Sequence, residues 1–88
     1  MNIKKMVKRA TKDGRVIIGS KETLKNMGEI EKVILASNSP DKIVKKIQDN
    51  VEDAELIEFQ GNNRELGSIC GKPFNVTTVG IKEKQSIV

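Results

Sequence analysis

The sequence predicts an α/β fold in which helices cover both faces of one sheet. The chain has 88 residues, which allows one hydrophobic core and therefore a single domain, residues 1–88. Four short apolar runs indicate strands, and segments with apolar residues three or four positions apart indicate helices between them. This alternation of strands and helices is typical of layered α/β proteins.

The first part of the chain is predicted to form two helices and two strands. A basic helix at residues 2–11 places its apolar residues on one face and its lysines on the other. The continuous apolar run 16–18 indicates a strand buried on both faces. Ser20 is predicted to cap the next helix, and Gly28 to end it in a left-handed conformation. A second buried strand follows at 33–36.

The second part of the chain repeats the alternation. Ser39 is predicted to cap a third helix, with Pro40 at its first helical position. Asn62, followed three residues later by Glu65, fits a capping-box arrangement for a fourth helix, which Gly71 closes. The remaining strands are predicted at 56–59 and 76–79, and a ragged tail at 82–88.

Composition argues against several classes of protein. The chain has no histidine, which removes the commonest general base and metal ligand, and its single cysteine, Cys70, cannot form an internal disulfide. We therefore expect no enzyme, no metal and no cofactor, and an intracellular, reducing compartment. Only Phe59 and Phe74 are aromatic, which argues against a multi-ring platform for single strands. No run of about 18 apolar residues indicates a membrane span.

Positive charge is concentrated at the N-terminal end. Residues 1–25 contain eight basic and two acidic residues, whereas residues 26–88 contain eight basic and ten acidic residues. A polyanion would therefore meet one basic face. Lysine-rich helices are also ordinary solvated surface, and charge alone leaves the two interpretations about equal.

The segment 67–73 superficially suggests a phosphate-binding loop. A P-loop has four residues between its glycines and a Ser or Thr after the lysine. Here three residues separate Gly67 from Gly71, and Pro73 follows Lys72. The sequence therefore does not predict a nucleotide site, and Cys70 in the same segment is interpreted as a small core residue.

The junction after the first strand, residues 19–25, has features of an anion-binding site. Gly19 would let a phosphate backbone approach closely, and the free N–H groups of a helix start favour negative charge. Lys21 and Lys25 are four positions apart and share a helix face. Glu22 can accept a hydrogen bond from a base amino group. The same residues also suit a capped helix with a solvated lysine face.

Three segments in this order, residues 19–25, 33–40 and 65–74, resemble the kink-turn RNA-binding superfamily, and within it the archaeal and eukaryotic large-subunit ribosomal proteins known as ribosomal protein thirty. The likeness covers roughly residues 1–80. It implies a three-layer α/β/α sandwich with a four-stranded mixed sheet. It also implies a structural, non-catalytic role in the large ribosomal subunit of the cytoplasm, as a monomer that binds kink-turn rRNA beside other ribosomal components.

The resemblance also implies which residues contact RNA, in the 19–25 junction, the loop after the second strand and the loop before the fourth strand. The matching positions are Gly19, Ser20, Lys21, Glu22, Lys25, Asn38, Gly71, Lys72 and Phe74. Phe74 is predicted either to stack on a base or to seal the core. An A-form major groove is normally too narrow to read, so a protein helix enters RNA only where the duplex is distorted.

Three alternatives remain open at this point. The nearest is a kink-turn-binding subunit of a guide-RNA ribonucleoprotein, or a free-standing RNA-binding regulator. Lys21 argues against it, because the wider superfamily usually has Asn there. A small-ligand domain or enzyme subunit is disfavoured by the missing histidine, and a protein-only adaptor would use the acidic second half.

Overall fold

The computed structural model describes residues 3–51 and 54–82. Within these ranges helices and strands alternate along the chain, and a short 3-10 turn at Met27–Glu29 precedes the second strand. The helices are α1 (Ile3–Lys12), α2 (Ser20–Lys25), α3 (Asp41–Asn50) and α4 (Asn63–Ile69). The strands are β1 (Val16–Ile18), β2 (Ile30–Leu35), β3 (Glu55–Glu58) and β4 (Thr78–Lys82).

The strands form one mixed sheet in the order β1-β4-β2-β3. β4 is antiparallel to both β1 and β2, and β2 is parallel to β3. Three strands therefore end at the edge of the sheet where β4 begins. The loops that follow β1, β2 and β3 and the segment that precedes β4 all meet at this end, which we call the loop end of the sheet.

Helices cover both faces of the sheet. α1 and α4 pack on one face, where Val7, Leu66 and Val79 of β4 are fully buried. α2 and α3 pack on the other face, where Leu24 lines the core and Ile47 is fully buried. The predicted three-layer α/β/α sandwich with a four-stranded mixed sheet is confirmed.

The last described strand lies later than predicted. β4 spans Thr78–Lys82 rather than 76–79. The predicted tail at 82–88 is wrong at its first residue, because the backbone N–H of Lys82 donates to the carbonyl oxygen of Arg15 at 2.8 Å. The rest of the predicted tail lies outside the described residues.

Other boundaries shift by a few residues. β2 begins at Ile30 rather than residue 33, because Ile30 is already buried and pairs with Lys82. β3 lies one residue earlier than predicted. α1 spans Ile3–Lys12 where 2–11 was predicted, and residue 2 lies outside the described residues.

Two predicted helix boundaries, the start and the end of α4, are confirmed, and the predicted start of α2 is wrong. The side chain of Asn62 accepts a hydrogen bond from the backbone N–H of Glu65 at 2.9 Å, which caps α4. Gly71 follows this helix with φ 72°. Ser20 does not cap α2, since Gly19 occupies the cap position and Ser20 is the first helical residue.

The predicted end of α2 and the predicted start of α3 are also wrong. Gly28 does not adopt a positive φ and lies within the 3-10 turn; α2 has already ended at Asn26. Pro40 is the cap of α3 rather than its first helical residue, and Ser39 precedes the cap. Pro40 still suits this position, because a helix start requires no backbone N–H there.

Candidate nucleic-acid interface

Backbone hydrogen bonds tie the 19–25 junction to the loop end of the sheet. The N–H of Gly19 donates to the carbonyl oxygen of Thr78 at 2.9 Å, and the N–H of Ala36 donates to that of Thr77 at 2.9 Å. The segment before β4 thus lies between the end of β1 and the end of β2. These bonds fix the start of α2 beside the loop that carries Asn38.

A second set of bonds joins the loops after β2 and β3. The N–H and the hydroxyl of Ser37 both donate to the carbonyl oxygen of Gly61, each at 2.9 Å. The Asn38 amide oxygen accepts from the N–H of Asn63 at 2.8 Å, and its amide nitrogen donates to the Asn63 side chain at 3.1 Å. Asn38 is exposed, so its second amide hydrogen still faces solvent. The structure therefore holds this side chain in one orientation at the surface.

The backbone of the 19–25 junction is held in a conformation that favours glycine. Gly19 has φ 100° and ψ 148°, and a Cβ built there would meet no atom within 4 Å. The space over this residue is therefore open, while its φ excludes most other residues. Thr23, which is fully buried, donates its hydroxyl to the Gly19 carbonyl oxygen at 2.7 Å and its N–H to the same oxygen at 3.1 Å.

The position of Thr23 depends in turn on Gly80, in the middle of β4. A Cβ on Gly80 would lie 3.0 Å from Thr23 Cγ2 and 2.7 Å from Ile30 Cδ1. The bare backbone at this position lets α2 lie close against the sheet. Sequence reasoning missed both residues as site-building positions, because their contact joins parts of the chain that are far apart in sequence.

The outer face of α2 presents charge to solvent. Lys21, Glu22 and Lys25 are all exposed. Lys25 Nζ lies 3.8 Å from Glu22 Oε1, and both side chains are more than half exposed. Such a pair contributes little to stability, about 0–1 kcal/mol. A phosphate could therefore replace Glu22 as the partner of the Lys25 ammonium group with little loss of stability.

The other predicted contact residues lie on the opposite face of the sheet. Gly71 ends α4, about 12 Å along the helix axis from Asn63. Lys72 lines a cavity of about 140 Å³ with Gly14 and Cys70, near the turn between α1 and β1. Gly71 and Lys72 therefore lie away from the loop end of the sheet, whereas Gly19, Ser20 and Asn38 are brought together there.

Phe74 does not seal the core, since 55% of its surface is exposed. Its ring lies beside α4, where it lines a shallow groove with Arg64 and Ser68. Its backbone is held by Gly67, because a Cβ at Gly67 would overlap the carbonyl oxygen of Phe74. The loop thus packs directly on the α4 backbone and presents the ring outward, which leaves the stacking role open and excludes the sealing role.

The described part of the chain contains neither a metal-binding cluster nor a helix that could span a membrane. Across residues 3–51 and 54–82, no group of three or more His, Cys, Asp or Glu side chains could hold a metal ion. The same ranges contain no helix long and apolar enough to cross a membrane.

Cys70 is a buried core residue, as the sequence predicted. Burial raises the pKa of its thiol, and the positive charge of Lys72 opposes this rise. Because the pKa of the thiol is higher in the folded chain than in the unfolded chain, the contribution of Cys70 to stability is complete below the unfolded pKa and is lost as the pH rises through the folded pKa.

We therefore expect the free energy of unfolding to fall as the pH is raised above the unfolded-state pKa of the Cys70 thiol, with Cys70 as one cause. Urea unfolding of the native chain and of Cys70→Ala, at several pH values, measures this slope. The Cys70→Ala chain should be less stable throughout because of the cavity, and its decline with pH should be shallower. Equal slopes would show that the thiol does not contribute.

A family of known proteins matches almost the whole chain. Residues 1–87 match the ribosomal protein L7Ae/L30e/S12e/Gadd45 family. "Large ribosomal subunit protein eL30" of Archaeoglobus fulgidus is 39% identical over 84 residues, covering 93% of this chain and 95% of the relative. The protein of the same name from Methanosarcina mazei is 39% identical over 83 residues, covering 92% and 79%.

Solved structures share the fold. A Giardia lamblia "15.5kD RNA binding protein" superposes with a TM-score of 0.84 at 24% identity, covering 94% of this chain and 72% of that one. A protein of unknown function from Bacillus halodurans C superposes with a TM-score of 0.83 at 23% identity, covering 91% and 83%. At these identities the likeness supports the architecture alone.

Proposed function

Because the chain belongs to the ribosomal protein L7Ae/L30e/S12e/Gadd45 family, we propose that it is a structural protein of the large ribosomal subunit. The relatives at 39% identity, matched over more than nine-tenths of this chain, are named as large-subunit proteins. The proposed setting is the cytoplasmic ribosome, and the proposed role is to bind rRNA as a single folded monomer without catalysis. The missing histidine agrees with that role.

The proposed RNA element is a kink-turn, a sharply bent duplex with sheared G·A pairs beside a bulge. The observation that carries this proposal is the 19–25 junction: an open glycine with φ 100°, locked by the buried hydroxyl of Thr23 at the start of α2. A bend opens an RNA groove that is otherwise closed to a protein helix. The junction is open over Gly19 and fixed from the core by Thr23, which suits entry into such a groove.

Each exposed side chain of the junction has a proposed task. Lys21 donates to the acceptor edge of guanine, and Glu22 accepts from a base amino group. Lys25 contacts a phosphate, and Gly19 with Ser20 lets the RNA backbone approach the helix start. Release of the weak ion pair between Glu22 and Lys25 would free both groups for RNA.

Asn38, Gly71, Lys72 and Phe74 are proposed as flanking contacts. Asn38 is nearest to the junction, because both belong to the loop end of the sheet. Gly71 and Lys72 lie beyond the end of α4 that is far from the junction, although Lys72 also borders the groove that contains Phe74. Their distance from the junction makes them the weakest of the proposed contacts.

Phe74→Ala is expected to lower kink-turn affinity while leaving the fold intact. A base stacked on an aromatic ring contributes about 1–3 kcal/mol by alanine substitution. Since more than half of the ring is exposed, the free energy of unfolding should change by about 0.5 kcal/mol or less. Fluorescence titration with a labelled kink-turn RNA and urea unfolding measure the two effects. Unchanged affinity would remove Phe74 from the site.

Ribosomal residence is tested by sedimentation. Cell lysate is separated on a density gradient before and after a high-salt wash, and the chain is detected with an antibody. We expect it to co-sediment with large subunits and to remain there after the wash. Recovery only in small ribonucleoprotein particles, or as free protein, would contradict the ribosomal proposal and favour the guide-RNA or regulatory alternative.

A further inference from the structure

We propose that the outer face of α1 binds the phosphate backbone of a second RNA segment, separate from the one at the 19–25 junction. α1 contains five basic residues and no acidic residue. All five are exposed: Lys4, Lys5, Lys8, Arg9 and Lys12. The inference goes beyond the proposed kink-turn site and rests on the proposed ribosomal role only for its choice of RNA as the polyanion.

No other helix of the described chain has this charge. α3 combines three basic with two acidic residues, and α2 combines two with one. α4 has one of each. The excess of positive charge noted in the N-terminal part of the sequence is thus concentrated on one helix, whose field reaches solvent without a compensating carboxylate on the same element.

The basic residues form ordered rows along α1. Lys4, Lys8 and Lys12 repeat every four positions, so successive side chains are stacked about 6 Å apart along the axis. Like charges at this spacing destabilise an isolated helix. The first turn has no acidic residue to relieve them. A row of phosphates would relieve all these pairs together.

The inner face of α1 packs on the core, which holds the array in place and argues against insertion of α1 into a lipid bilayer. Val7 and Ala10 are fully buried against the core. The apolar stripe that could enter a membrane is therefore occupied by the protein itself. The Thr11 hydroxyl donates to the Val7 carbonyl oxygen at 2.8 Å, within the last two turns. Only the charged face of α1 is left for a partner.

The position of α1 favours contact with an RNA segment other than the part of the kink-turn that meets the junction. α1 packs with α4 on one face of the sheet, whereas the 19–25 junction belongs to the face covered by α2 and α3. One straight duplex cannot lie along both faces. A protein with these two surfaces would join RNA segments on either side of it.

The test uses the full chain saturated with unlabelled kink-turn RNA. A fluorescent RNA duplex without bulges is then titrated in, across a salt series. The native chain is compared with the Lys4→Gln, Lys8→Gln, Lys12→Gln triple variant and with a matched control, Lys42→Gln, Lys45→Gln, Lys46→Gln, which removes the same charge from exposed positions of α3.

The native complex is expected to bind the second duplex. The α1 triple variant should bind it at least about tenfold more weakly, with a salt slope shallower by about 3, one unit per lost phosphate contact. The α3 control should resemble the native chain, and kink-turn affinity should change by about threefold or less in both variants, since nonspecific attraction contributes there as well.

Three outcomes would overturn the inference: no second duplex bound, an equal loss in the α3 control, or poly-glutamate bound as tightly as RNA. The last would assign the face to an acidic protein. Failure of the kink-turn proposal is distinguished by titrating the duplex into the chain without kink-turn RNA. A difference between the α1 and α3 variants there supports the α1 surface even if the junction does not recognise a bend.

Discussion

Replacing Lys21 and Lys25 together with glutamine is expected to lower the affinity for a kink-turn RNA by about 2–4 kcal/mol. Hydrogen bonds to charged groups contribute about 1.5–3 kcal/mol each, and two in one network are not fully additive. Because both side chains are exposed, the fold should be unaffected. Titration with a labelled kink-turn RNA at several salt concentrations measures the loss and its salt dependence.

The matched control is Lys45→Gln, Lys46→Gln, which removes the same charge from exposed positions of α3. α3 covers the same face of the sheet as α2, so the control differs in position rather than in net charge. We expect the control to lose well under 1 kcal/mol of binding free energy. Equal losses in the two variants would show that RNA is attracted by overall charge and that the junction has no special role.

Gly67→Ala is expected to destabilise the fold by about 1–3 kcal/mol. The added Cβ would overlap the carbonyl oxygen of Phe74 and lie 3.4 Å from the backbone nitrogen of Val76, and neither backbone can rotate away as a side chain would. Helix propensity acts in the opposite direction, because Ala is favoured over Gly by about 1 kcal/mol in a helix interior. Urea unfolding gives the net effect.

Ser68→Ala, at the next position of α4, is the control. Ser68 is exposed, so this substitution should change the free energy of unfolding by about 0.5 kcal/mol or less. A Gly67→Ala chain that is more stable than the native one would contradict the close approach of the loop to α4. A destabilised chain that still folds should also bind kink-turn RNA more weakly if the loop carries Phe74 to the RNA.

Much of the fold could be predicted from local patterns. β1 is a continuous apolar run whose bounds are as predicted, but its residues are only half-buried, because β1 is an edge strand of the sheet rather than a fully buried one. Asn62 caps α4 through a contact three residues away, which a sequence displays directly. β4 was placed too early, because residues 76–79 are β-branched and buried Val76 belongs to the core although it precedes the strand.

The junction shows where local patterns fail. The sequence indicated an important glycine at Gly19 but assigned the cap to Ser20, since Ser is the commoner cap residue. The structure reverses this, because Thr23 bonds the Gly19 carbonyl from inside the core. Thr23 has room there because Gly80, about two-thirds of the chain further along the sequence, has no side chain. A contact between residues so far apart in the sequence leaves no local pattern in a single sequence.

The central claim is that the 19–25 junction recognises bent RNA. The direct measurement is competition between a labelled kink-turn RNA and an unbent duplex of equal length and composition, repeated across a salt series. The proposal predicts that both affinities fall as salt rises, because both include counterion release, and that the kink-turn is preferred at every salt concentration. Equal affinity for the two RNAs throughout the series would contradict it and leave only general attraction to a polyanion.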